Sequence, residues 1–138
     1  MHTTIAPKPV LVLAIIYFAA SLAHFAHNAE YVAFYPGMPA WLTREKVYLA
    51  WLAVTSLAVL AWVFAKLAFP ALALLFLALY GATGLDGLAH YTLALCSEHT
   101  LATNITIWSE ATTGLVLLMV CAVLFARRLI PSLASRNG

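Results

Sequence analysis

Residues 10–30 read VLVLAIIYFAASLAHFAHNAE, and this stretch decides the fold. It has no Asp, Glu, Lys or Arg before Glu30, and it matches the roughly 20 apolar residues a helix needs to cross a hydrocarbon core. Its last turns hold His24, His27, Asn28 and Glu30. The segment therefore predicts a transmembrane helix whose far end is titratable.

The rest of the chain repeats the pattern. Hydrophobic residues make up 64% and charged residues 9%, and the mean hydropathy is +0.95, values foreign to a soluble domain. Apolar spans are predicted over residues 10–34, 43–69, 71–95 and 101–129. Nothing alternates as a barrel strand does, and lipid-exposed backbone must be satisfied within each segment, so the spans are helices. The intervening segments (35–42, Pro70 and 96–100) are short enough to force neighbours antiparallel. The expected fold is an all-α integral membrane protein, a four-helix up-down bundle forming a single domain over residues 1–138.

Orientation follows the basic residues flanking the spans. Lys8, Lys66, Arg127, Arg128 and Arg136 fall at one end, against Arg44 and Lys46 at the other. Both termini are thus expected to be cytoplasmic in a cell membrane, with the 35–42 and 96–100 loops outside. Lys8, the run from Val10 and Ser21-Leu22-Ala23 have the layout of a cleavable leader. In a chain starting at Met1 this segment is expected to stay as the first span. Cys96 and Cys121 fall at very different depths, so no bridge between them is expected. The net charge of +2 comes from the flanking asymmetry, and no basic run points to nucleic acid.

Ionisable residues gather at one depth. With a rise of 1.5 Å per residue, His24 lies roughly 21 Å beyond Val10, and Asp86 lies at a similar distance beyond Ala71. His27 and His90 follow one turn later, and Glu110 enters on the returning fourth span. Helical periodicity puts Tyr17, Ser21, His24, His27, Asn28 and Tyr31 on one face of the first span. It also groups Thr83, Asp86, Gly87 and His90 on the third. Thr103, Thr106, Glu110, Thr113, Gly114 and Cys121 are grouped on the fourth. On the second span the stripe is Tyr48, Trp51, Thr55 and Trp62. Leu22-Ala23-His24-Phe25 and Leu88-Ala89-His90-Tyr91 echo one another at matching depths. Ionisable groups in hydrocarbon persist when they are paired, ligated or line a cavity.

Imidazoles and carboxylates three or four residues apart on a helix can share an ion. His24, His27, Asp86 and His90 are therefore candidate ligands for a transition metal, with zinc, copper and iron suiting this donor set. Glu110 is a further ligand or the candidate catalytic proton acceptor. Asn28, Tyr31, His99 and Glu30 are expected in the second shell or periphery. A metalloenzyme or metal-delivering subunit is one outcome. A second is a b-type haem held between His24 or His27 and His90, with Gly81, Gly84 and Gly87 making room. The competing structural roles are close helix packing for the glycines and mutual hydrogen bonding for the polar pairs.

A third outcome is a metal-free pocket in which Glu110, Glu30 or Asp86 moves protons on a lipid-phase substrate. Four short helices, Pro39-Ala40-Trp41 leading the second, and an acid near the outer end of the first resemble the EXPERA membrane proteins. That group includes sterol isomerases, so the resemblance, which covers those residues and the topology, implies a sterol-like substrate. The histidine-rich first span departs from that pattern. A fourth outcome is a structural subunit. Membrane lipid is the expected surrounding, with a homo-oligomer or larger complex as the expected assembly. Tyr31, Tyr35, Trp41 and Trp108 are expected in an interfacial belt, Trp62 between helices, and Thr43 as an N-cap.

Overall fold

The computed structural model describes residues 8–134, so Arg136 lies outside the described residues. The chain is all-helical, without strands among the described residues. Helix α1 spans Lys8–Glu30, α2 spans Arg44–Lys66, and α3 spans Pro70–Thr83. After α3 the chain tightens into a 3-10 stretch over Gly84–Ala89 and resumes as the one-turn α4, His90–Leu93. Helix α5 runs over Leu101–Ala134. Four segments are long and apolar enough to cross a membrane: Lys8–Glu30, Arg44–Lys66, Pro70–Leu93 and Leu101–Leu129. Each neighbour in sequence packs against the next and α5 closes back on α1, so the bundle is a square of antiparallel helices.

Buried stripes on α1 and α5 fix the core. On α5 the buried stripe is Thr103, Ile107, Glu110, Gly114, Leu117 and Cys121, with Ala111 buried beside it; on α1 it includes Val10, Tyr17, Ser21, His24 and Asn28. Both follow alternating steps of three and four, the spacing that keeps a seam facing a partner helix. The polar faces predicted for these two spans therefore turn inward, with His27, Thr106 and Thr113 at their half-buried edges, except at Tyr31, which is exposed. Helices α3 and α5 approach closely where Gly81 meets Gly114. A Cβ on Gly81 would stand 2.7 Å from the Gly114 carbonyl oxygen, and one on Gly114 would stand 2.6 Å from that of Gly81. Backbone contact of this kind is the use membrane helices make of small residues.

Helix α2 differs from expectation. Its buried residues are Val47 and Ala61, one position off the predicted stripe, and Trp62 is 61% exposed rather than packed between helices. The middle of the predicted stripe does face inward, since Trp51 and Thr55 are half-buried with Trp51 Nε1 and Thr55 Oγ1 inside, whereas Trp62 turns to lipid, where an outward indole costs little. Thr43 caps α2 as predicted, its Oγ1 accepting from the Lys46 amide at 3.4 Å.

The turn after α2 is a Schellman motif. The Phe69 amide donates to the Phe64 carbonyl at 2.9 Å and the Ala68 amide to the Ala65 carbonyl at 3.3 Å. The Phe64 and Phe69 rings meet edge to face across it. Such turns need a left-handed residue, and here it is Ala68, with φ 61°. Pro70 then starts α3 at a position where its missing N–H costs nothing.

Midway along the bundle, Tyr17 and Tyr80 are fully buried and meet as a T-shaped pair with centroids 4.6 Å apart. The Tyr17 hydroxyl lies 3.1 Å from Thr83 Oγ1. This layer separates the end bearing the 31–43 and 94–100 connections, the loop end, from the terminal end.

Candidate functional site

Above the tyrosine layer, at the loop end, a cavity of about 200 Å³ opens among all four spans. Helix α1 gives it His24 and Asn28, the third span gives Asp86, Gly87 and His90, and α5 gives Glu110. Phe25, Val32, Met38, Leu42 and Val47 supply apolar walls. The connection between α1 and α2 thus roofs the site, with Gly37 at φ 75° making the turn and packing against Leu93.

The local backbone explains which residues of the third span face inward. A 3-10 stretch has three residues per turn, so side chains three apart eclipse. Gly81, Gly84, Gly87 and His90 form one inward row, and all are buried. Asp86 falls on the neighbouring row and is exposed, at the cavity's rim. The α-helical spacing used to group Asp86 with His90 does not hold here. A Cβ on Gly87 would come 3.3 Å from Glu110 Oε2 and 3.6 Å from His24 Nε2, so this glycine makes room for that pair. Gly84 instead lets the span press against the Tyr17 ring and the Glu110 carbonyl.

At the centre, Asn28 Nδ2 stands 2.9 Å from His24 Nε2 and 3.1 Å from His90 Nε2. With both amide hydrogens donated, each Nε2 is an acceptor and each ring carries its proton on Nδ1. His24 Nε2 also faces Glu110 Oε2 at 3.5 Å, with both side chains buried. Two acceptors at that distance need a proton between them. With a hydrogen on His24 Nε2, the Asn28 amide must turn over to present Oδ1 instead. The amide orientation and the protonation of the pair are therefore linked.

Several buried polar atoms on α1 and α5 lack a hydrogen-bond partner. They include Ser21 Oγ, His24 Nδ1, Asn28 Oδ1 and Glu110 Oε1. Each such atom costs about 1–3 kcal/mol unless something satisfies it.

His27, predicted as a ligand, faces a different partner: its Nδ1 lies 2.7 Å from the Tyr35 hydroxyl. Tyr35 itself, expected in the interfacial belt, is only 6% exposed. Its ring lies 5.2 Å from that of His90 and 6.2 Å from that of His99. Burial pushes its phenol above the ordinary value. Tyr35 is the residue sequence reasoning missed, because chain reversal after α1, not periodicity, returns it to the site. His99 is buried too, with its ring 6.1 Å from His90 and Nε2 unpartnered. It is held by its loop: Asn104 donates to the Cys96 carbonyl at 3.0 Å and accepts from the Tyr91 hydroxyl at 2.8 Å.

Glu30 lies outside the cavity lining, paired with Arg44 at 2.8 Å and accepting from the Tyr48 hydroxyl at 2.8 Å. Tyr31 is exposed, with its ring beside His27. Cys96 is exposed and Cys121 buried, both as free thiols. Among the described residues, no group of three or more His, Cys, Asp or Glu side chains is placed to hold a metal ion. No family model, curated protein or solved structure matches this chain.

Proposed function

We propose that this membrane protein binds a small, mainly apolar molecule with one polar group in the loop-end cavity, with Glu110 and His24 as its acid–base pair. The observation that supports this most is the set of buried atoms on His24, Asn28 and Glu110, three residues lining the cavity, that lack a protein partner. A ligand's polar group would satisfy several of them. The apolar walls from Phe25, Val32, Met38 and Leu42 suit the remainder of such a molecule. A carboxyl and an imidazole 3.5 Å apart can pass a proton to and from it, with Asn28 able to serve either state. At about 200 Å³ the cavity is below the usual range of about 300–1,000 Å³ for ligand pockets, so the molecule is small or enters by one end only.

A second reading is a metal held by His24, His90 and Glu110. Its support is that both Nε2 atoms lie within hydrogen-bonding distance of the same point, the Asn28 amide nitrogen. It requires that amide to move aside and His90 and Glu110 to draw closer. A haem between the two rings has less support, since their centroids are 5.4 Å apart with the amide between the nitrogens.

The test is what the purified full chain holds. Organic extraction with mass spectrometry should find one small molecule in the wild-type protein that is missing from Glu110→Gln of equal helicity. A transition metal at one per chain, lost from His24→Ala with His90→Ala, supports the second reading. If Glu110→Gln retains the same molecule undiminished, the acid–base assignment is wrong. If His24→Leu, Asn28→Leu and Glu110→Met together raise stability with no loss to the host, the cluster is only structural.

A further inference from the structure

Below the tyrosine layer lies a second and larger cavity, of about 350 Å³, whose chemistry is unlike the first. Its walls are mainly apolar, with the small side chains of Ala58, Ala61 and Ala73 among larger ones such as Leu74. All four spans contribute to it. Two cations line it, Lys66 from the last turn of α2 and Arg128 from α5, both exposed. The Lys66 ammonium sits 5.8 Å from the centre of the Trp62 ring, another lining residue.

The acids are all elsewhere. The chain has five Asp and Glu residues, namely Glu30, Glu45, Asp86, Glu98 and Glu110, and each belongs to the loop end. Among the described residues Lys66 and Arg128 therefore have no Asp or Glu side chain at their end of the bundle. An apolar cavity of ligand-pocket size with two cations on its lining and no acidic side chain among its lining residues is complementary to an acyl chain ending in an anionic phosphate.

We propose that this groove is a binding site for one anionic phospholipid, with one acyl chain among Ala58, Ala61, Ala73 and Leu74 and the phosphate between Lys66 and Arg128. Arg128 offers a planar fork to the phosphate oxygens, and Lys66 adds a point charge steadied by the Trp62 face. The small side chains leave the volume that the chain fills. The proposal is independent of the loop-end pocket, from which the tyrosine layer divides it.

Native mass spectrometry of the full chain, released from nanodiscs of mixed phosphatidylglycerol and phosphatidylcholine, tests it. One phosphatidylglycerol per chain should survive, and its preference over phosphatidylcholine should reach about 25-fold, from roughly fivefold for each of two basic contacts. Lys66→Gln with Arg128→Gln, both at exposed positions, should bring the two lipids to parity. Lys8→Gln with Arg127→Gln removes equal charge from the same end and should leave the preference intact. Ala58→Leu, which narrows the groove, should reduce retention of the lipid. Equal retention of both lipids by the wild-type chain overturns the proposal. So does a preference that survives loss of Lys66 and Arg128, or falls equally with Lys8 and Arg127. Oleate retained ahead of phosphatidylglycerol would overturn the phospholipid assignment.

Discussion

His24 Nε2 and Glu110 Oε2, brought by antiparallel helices to 3.5 Å, form a buried acid–base pair with a neutral amide beside it. Burying a carboxylate costs free energy that only pairing or neutralisation recovers. Glu110→Gln keeps the shape without the charge. It should leave the melting temperature in detergent unchanged or raised while abolishing ligand retention. A fall of several degrees would show the carboxylate to be a structural element instead.

Asn28 satisfies two imidazoles at once, so its loss should exceed that of an ordinary hydrogen bond. Asn28→Ala leaves His90 Nε2 buried without a donor and leaves His24 Nε2 with Glu110 alone, and should destabilise the fold by about 1–3 kcal/mol. Denaturant unfolding in mixed micelles measures this.

Gly81 and Gly114 admit no side chain. Either Gly81→Ala or Gly114→Ala drives a methyl into backbone at under 3 Å, which helix separation alone can relieve. Each should cost about 2 kcal/mol or more, the upper range of overpacking. The double variant should not rescue the singles. Circular dichroism melts in detergent would reveal any that remain wild-type-like.

Ala68 is the reverse case. It holds φ 61° at the position where a Schellman turn ordinarily has glycine. Ala68→Gly should stabilise the protein by about 0.5–1 kcal/mol, through relief of the left-handed strain. No gain in melting temperature would mean the turn is relaxed already.

Tyr35 gives an alkaline signature. Burial raises its phenol above the ordinary 10.0, so the unfolded chain loses this proton first as pH rises. Above about pH 10 the folded state holds more protons than the unfolded one, and stability must fall with pH. Tyr35→Phe should flatten that fall while costing about 0.5–1.5 kcal/mol at neutral pH, for the bond to His27. Stability against pH for the two proteins separates the effects.

The spans were legible because hydrocarbon thickness leaves little freedom in length, and the faces of α1 and α5 because both are regular helices. His24, Asn28 and Glu110 could thus be placed together from spacing alone. The third span could not be read this way. Its 3-10 stretch changes the period from 3.6 to 3.0, which moves Asp86 to the exposed rim of the cavity while keeping His90 buried. Gly84 and Gly87 hinted at irregular backbone, yet glycine also serves plain close packing. On α2 Trp62 misled because lipid accepts an aromatic face that water would not, while Trp51 is half-buried as its stripe implied. His99 lies near the site as its loop position implies, but Tyr35 lies in a connection, where no periodicity says which side chains fold back.

The paired rings of Tyr17 and Tyr80 have a consequence for transport. Both rings are fully buried and paired between the polar-lined cavity and the apolar one, so a solute in either meets them before the other. For a molecule held in the loop-end cavity, entry and exit by one doorway is the route that leaves those rings in place.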